Sequence, residues 1–202
     1  MNIKFIPHLF KTWIKVFLNP RTDIFRGELV RKSNLTTFIG IAIAAVIGLG
    51  LSWLTHLIAG QPPEEFMGLA SAWVEKGTQP PFGSWSIIVF LGVIAGFYDF
   101  EIILFIFAWL LRGKGSFGTQ AYVQSLFYAP LAVVQQIFAV IPGIGFILFI
   151  IVAAWSLVPT TTSLKAAHGY STLKAILTWL LPVVLNIVVV YVVVQILSAK
   201  AA

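Results

Sequence analysis

Asp99 and Glu101, inside Phe97-Tyr98-Asp99-Phe100-Glu101, are the residues of this chain best placed to do chemistry. Both fall near the middle of an apolar stretch, residues 84–111. At bilayer depth an ionised carboxylate costs at least about 2.5 kcal/mol, and such residues mark functional sites by default. No lysine or arginine lies at comparable depth, so protonation, water or an amide must satisfy them. Asn186, midway along another apolar stretch, is the natural donor, and Gln135 and Gln136 lie shallower in a third. Positions two apart on a helix are separated by about 200° of rotation, so the two carboxylates cannot face one straight neighbour as an acid/base dyad. Two readings follow: a small transporter or channel coupled to protons or cations, or a polar clasp that fixes helix packing.

Other chemistry is thinly represented. The chain has no cysteine, which removes disulfides, thiolate metal sites and thiol catalysis together. Gly113-Lys114-Gly115-Ser116-Phe117-Gly118 matches G-x-G-x-x-G literally, but no strand precedes it and no βαβ unit surrounds it, so dinucleotide binding is not expected. His56 and His168 fall on opposite sides of the apolar stretches and His8 lies near the N-terminus, which gives no histidine–carboxylate metal cluster. Gly-x-Ser-x-Gly, His-Glu-x-x-His and Walker patterns do not occur. The expectation is a non-enzyme with no cofactor and no metal.

The elements that must position these residues are membrane helices. Of 202 residues, 59% are apolar and 10% charged, with a mean hydropathy of +0.95; an ordinary soluble domain carries about 25% charged residues. A crossing needs roughly 20 apolar residues, and five stretches qualify: Thr36–Ala59, Ser84–Leu111, Thr119–Ile141, Gly143–Leu164 and Lys174–Leu197. The fold class expected is all-α, a five-span integral membrane protein, with residues 1–35 as a basic segment and 36–197 as the membrane domain. Eleven of the 13 cations fall before the first span or in the second–third and fourth–fifth connections. By the positive-inside rule the N-terminus is cytoplasmic and the C-terminus external. The net charge of +6 is thus an orientation signal, and no nucleic-acid role is expected. No cleavable signal peptide is visible, because Lys11 and Lys15 break the first apolar run.

Residues Pro7–Leu18 read as an amphipathic helix ended by Asn19-Pro20. His8, Lys11 and Lys15 form a basic stripe, while Leu9, Phe10, Trp13, Ile14 and Phe17 are apolar. Such a helix fits a membrane surface, with Lys11 and Lys15 on anionic headgroups and Trp13 in the interface; packing beneath the bundle, or against a partner protein, are the alternatives. A short external helix is predicted over Glu64–Lys76. Gly40, Ala44, Gly48 and Ser52 repeat every four residues, and Gly92 and Gly96 make a GxxxG pair. These faces suit close packing within one chain, in a homo-oligomer or with other membrane proteins. Pro130, Pro159 and Pro182 are expected to kink the last three spans, with Thr160, Thr161 and Thr162 satisfying freed carbonyls. Kinked helices with a polar groove would suit lipid handling, a third reading.

From Thr119 to Lys174 the chain resembles the Yip-domain family of five-span, Ypt/Rab-interacting membrane proteins. The resembling residues are Gln120-Ala121-Tyr122, Tyr128-Ala129-Pro130, the Ile141-Pro142-Gly143-Ile144-Gly145 hairpin, Trp155-Ser156-Leu157, and Leu164 to Ser171 with His168-Gly169-Tyr170. The resemblance implies the same cytoplasmic N-terminus and a non-enzymatic role in membrane organisation, trafficking or scaffolding. It gives Tyr128, Pro130, Pro142, Gly143, Gly145 and Gly169 structural parts in the motif. Asn19-Pro20 and the basic stretch look like the shorter prokaryotic members, which implies a prokaryotic inner membrane. Eukaryotic relatives associate with Rab-type GTPases; the long N-terminal region and the Asp-Leu-Tyr-Gly-Pro motif of those relatives are missing here, so GTPase binding is not carried over.

Overall fold

A computed structural model describes residues 5–59, 82–139, 141 and 144–201, and among them every regular element is helical. Helix α1 (Phe5–Leu18) and the short α2 (Thr22–Glu28) are separated at Asn19-Pro20, and a single 3₁₀ turn (Leu29–Arg31) leads into the long helices. These are α3 (Asn34–Ala59), α4 (Phe82–Leu110), α5 (Phe117–Ala139), α6 (Gly145–His168) and α7 (Thr172–Ala201). All five predicted apolar stretches are helices, with ends within a few residues of those read from the sequence. The predicted helix over Glu64–Lys76, and Pro142 and Gly143 of the hairpin, lie outside the described residues.

Four helices, α3, α4, α6 and α7, are long and apolar enough to cross a membrane. The chain is therefore a multi-pass membrane protein by length and composition. Helix α5 has the length, at 23 residues, but its first half holds Thr119, Gln120, Gln124 and Ser125. Those side chains are buried against neighbouring helices, so the helix tolerates polarity that a lipid-facing one would not.

Five helix ends meet at one end of the molecule, called the base here. Lys32 Nζ donates to Thr119 Oγ1 at 2.9 Å, the Lys114 N–H to the His168 carbonyl at 3.4 Å, and Lys174 Nζ to the Leu111 carbonyl at 3.2 Å. Helix α5 lies at the centre, packed on α3 and α6 most extensively and on α1 and α4 as well.

Helix α1 docks on α5. Leu9, Trp13 and Val16, spaced one turn apart, are buried with Thr12, and the Trp13 ring lies beside Gly40 of α3. Phe17 meets Trp155 of α6 at 4.6 Å between ring centroids, and Phe25 of α2 meets Phe127 of α5 edge-on. Trp13 is 3% exposed, which corrects the expectation that it lies in the membrane interface. The apolar surface of α1 is broad enough for two rows. The inner row packs, and Ile6, Phe10, Ile14 and Leu18 stay exposed beside Lys11 and Lys15.

The small-residue faces divide the same way. Gly40 and Ala44 are buried within the chain and Gly48 is half-buried. Gly92 and Gly96 are exposed, and a Cβ on either would meet nothing within 4 Å. Pro130, Pro159 and Pro182 sit inside continuous helices. Thr160, Thr161 and Thr162 donate to the carbonyls of Ser156, Leu157 and Val158. They therefore reinforce the turn around Pro159, and the carbonyl that Pro159 frees, on Trp155, is not among their acceptors.

Candidate functional site

On α4 the residues facing the bundle are Phe97, Glu101, Leu104 and Ala108, spaced by three and four, and all are buried. Glu101 is 0% exposed although it is an acid. Asp99 points to the opposite side and is exposed, as the helical rotation requires.

Gln120, in the first turn of α5, is the partner of Glu101. Its Nε2 donates to Glu101 Oε2 at 2.8 Å and to the Glu101 carbonyl at 3.0 Å. Its Oε1 lies 2.8 Å from Nε2 of His168, the last residue of α6. The other ring nitrogen, Nδ1, accepts the Gly115 N–H at 3.2 Å. An acceptor at Nδ1 requires the proton on Nε2. The imidazole is therefore the neutral Nε2–H tautomer, donating to Gln120, which in turn donates to Glu101. The chain of bonds crosses three helices and ends on a loop N–H. Glu101 Oε1 and both amide atoms of Gln124, one turn beyond Gln120, are buried without a partner among the described residues.

The connection between α4 and α5 is shaped around His168. A Cβ on Gly113 would come 2.6 Å from His168 Nδ1, and one on Gly115 would overlap the Ala167 carbonyl. A Cβ on Gly118 would come 2.8 Å from Asn34 Oδ1. The three glycines of the G-x-G-x-x-G match are thus explained by close packing of backbone on neighbouring helices, not by a phosphate. Gly169 follows with φ +68° and caps α6, its N–H bonded to the Lys165 carbonyl; this left-handed position suits glycine. Tyr170 stacks on His168 at 5.2 Å and shares a hydrogen bond with Thr178 at 2.7 Å. Burial pushes the Tyr170 phenol above its ordinary range, against the smaller lowering from Thr178.

The expected constellation is only partly assembled. Glu101 is central, but its amide partner is Gln120 and not Asn186, which is exposed on α7. Gln135 is half-buried, and among the described residues no hydrogen bond joins it, Asp99 or Asn186 to Glu101. Tyr128 packs on Phe97 at 5.0 Å with Pro130 half-buried nearby, and Gly145 is buried at the start of α6. Gln120 and His168 belong to the resembling motifs, but separation along the sequence hid their meeting. The signal available was their position at the ends of helices joined by short connections, which puts both at the base.

A second polar cluster lies at the base on the α1 side. Arg31 Nη1 approaches His8 Nε2 at 2.7 Å, and Glu28 Oε2 lies 3.4 Å from the same nitrogen. Among the described residues no group of three or more His, Cys, Asp or Glu is arranged to hold a metal.

The Yip1 domain matches residues 14–194, from the last turn of α1 through nearly all of the bundle. The chain belongs to the Yip1-domain family. No curated protein and no solved structure matches it. The Yip1-domain family is not a known enzyme family. Within this Yip1-domain protein, the Glu101–Gln120–His168 clasp joins α4, α5 and α6 inside the matched region.

Proposed function

We propose that this Yip1-domain protein is a non-enzymatic organiser of the lipid bilayer. It crosses a prokaryotic inner membrane five times, through α3 to α7, with the base and N-terminus in the cytoplasm. Helix α5 spans roughly 34 Å at 1.5 Å per residue, enough for a hydrocarbon core of about 30 Å. The cations Arg26, Arg31, Lys32, Arg112, Lys114, Lys165 and Lys174 belong to the base or its connections, which favours the cytoplasmic assignment.

The observation that carries this reading is the double face of α1. Leu9, Trp13 and Val16 fix the helix rigidly on the bundle, while Ile6, Phe10, Ile14 and Leu18 remain uncovered next to Lys11 and Lys15. A helix held parallel to a bilayer by its own protein, with an apolar row and lysines outward, wedges the cytoplasmic leaflet and attracts anionic headgroups. The test is reconstitution of wild type and Ile14→Glu/Leu18→Glu into vesicles containing anionic lipid, imaged by electron cryomicroscopy. Both positions are exposed, so the fold survives. Wild type is expected to narrow or tubulate the vesicles, and the variant to return them to the protein-free distribution. Identical distributions for the two proteins would end the proposal.

A further inference from the structure

Helix α4 carries two acids, and the chain supplies a partner for only one of them. Glu101 turns inward to the amide of Gln120. Asp99, on the opposite side, is exposed and makes no hydrogen bond or ion pair among the described residues. It stands twelve residues from Ile87 and eleven from Leu110, the two ends of the apolar run. At 1.5 Å per residue those are about 18 Å and about 16 Å, which puts Asp99 at the midplane of a hydrocarbon core about 30 Å thick. Acids at that depth face protein, water or an opposite charge, because lipid cannot solvate them.

The surface around Asp99 is shaped for close contact. Gly92 and Ile106, two turns away in either direction, lie within about 20° of it around the helix, and Ala95, Gly96 and Ile103 within about 60°. All five are exposed. A Cβ on Gly92 or Gly96 would meet nothing within 4 Å. The half of this face beyond Asp99 from the base is therefore nearly bare backbone, and the half nearer the base is aliphatic. Bare backbone lets a second helix come into van der Waals contact. Charge selects which helix. None of the five long helices has a lysine or arginine at the depth of Asp99: Lys165 and Lys174 lie at the base, and Lys200 at the other end of α7. A second copy of the chain would bring no cation to this acid.

We propose that this face of α4 docks a membrane-spanning helix of a different protein, one that carries a lysine or arginine near the middle of its span. The cation pairs with the Asp99 carboxylate, and the partner's backbone rests on Gly92, Ala95 and Gly96. Each charge is costly alone in lipid and pairing relieves both, so the contact prefers a helix with a central cation over a wholly apolar one. The inference needs only that α4 crosses the membrane. It is independent of the orientation of the chain and of the outer row of α1.

The test uses the full-length protein in phosphatidylcholine vesicles and two synthetic spanning peptides of leucine and alanine, one with a central lysine and one with leucine there. Each peptide carries a dansyl group, and energy transfer from the protein's tryptophans reports binding; Trp109 of α4 is 68% exposed. Wild type is expected to bind the lysine peptide about tenfold more tightly than the leucine peptide, the effect of one interhelical polar contact in lipid. Asp99→Asn keeps the side-chain shape, removes the charge and abolishes the preference. Gly96→Leu keeps Asp99 but holds the two backbones apart, and weakens binding of the lysine peptide severalfold. Both positions are exposed, and an unchanged unfolding midpoint verifies that the variants fold. Equal binding of the two peptides by wild type overturns the proposal, as does a lysine preference that survives in Asp99→Asn. Wild-type dimers that Asp99→Asn dissolves would also overturn it, and would assign the face to a second copy of the chain.

Discussion

The two ends of the bundle are built on opposite plans. At the base, buried side chains are mixed: Glu101, Gln120, Gln124, Ser163, His168 and Thr178 sit among Phe25, Phe97, Leu126 and Leu164, and all of them are at most 2% exposed. At the far end the surface is almost purely aliphatic and uncovered. Every residue of α7 from Val183 to Gln195 is exposed, as are Gly92, Ala95 and Gly96 on the outer side of α4, midway along that helix. Water-based packing would predict the reverse, with aliphatic surface hidden. In a membrane, lipid covers the aliphatic end at no cost, so nothing drives it to pack. The base must hold itself together by shape and hydrogen bonds. Specific structure, and with it both polar clusters, is therefore concentrated where α1 and α2 close the bundle.

The largest expected difference between the ends concerns α1. Trp13→Ala empties a buried indole site against Gly40 and should cost about 4 kcal/mol, the usual range for such truncations. Ile14→Ala, next in sequence but 61% exposed, should change stability by less than about 0.5 kcal/mol. Thermal unfolding in detergent measures both. Similar losses for the two would mean that α1 does not discriminate its inner and outer rows as described.

A somewhat smaller effect is expected at the clasp. Gln120→Leu is close in volume but strands the Glu101 carboxylate and the His168 N–H at once. An unsatisfied buried polar group costs about 1–3 kcal/mol, more when charged, so about 3 kcal/mol is expected here. Asn186→Leu, at the exposed end, should be neutral or slightly stabilising in detergent. Comparable destabilisation by both would show that the outer end also carries specific polar structure, and the contrast between ends would fail.

The same division governs what the sequence made legible. Length and hydropathy located all five long helices, because a 20-residue apolar run has one physical solution in lipid. Rotation along one helix also separated Asp99 from Glu101, since it depends on local geometry alone. What could not be read was which helices touch. The pairing of Glu101 with Gln120 depends on α5 lying centrally beside α4, and the α4–α5 connection closes on His168 because Gly113 and Gly115 carry no side chain there. Asn186 is the plausible donor by depth, but depth alone cannot say that it is exposed on α7 while Glu101 is buried beside Gln120. Trp13 misled for a related reason. An indole suits an interface and a core equally well, and only the docking of α1 on α5 decides between them.

Glycine substitutions give the finest test of the contrast, since each adds one methyl group, at the base or on the exposed side of α4. Gly115→Ala at the base forces a Cβ into the Ala167 carbonyl, a backbone atom that cannot swing aside. Relief requires the connection to move away from His168, lengthening the Gly115 N–H bond to Nδ1. The expected cost is about 2 kcal/mol, in the range of overpacking. Gly96→Ala places the same methyl group in open space on α4 and gains helix propensity, up to about 1 kcal/mol. The two variants should therefore shift the unfolding midpoint in opposite directions. If Gly96→Ala proved as damaging as Gly115→Ala, that α4 face would have to be covered in the folded protein by something other than lipid, and a second protein surface against Gly92 and Gly96 would be the physical explanation.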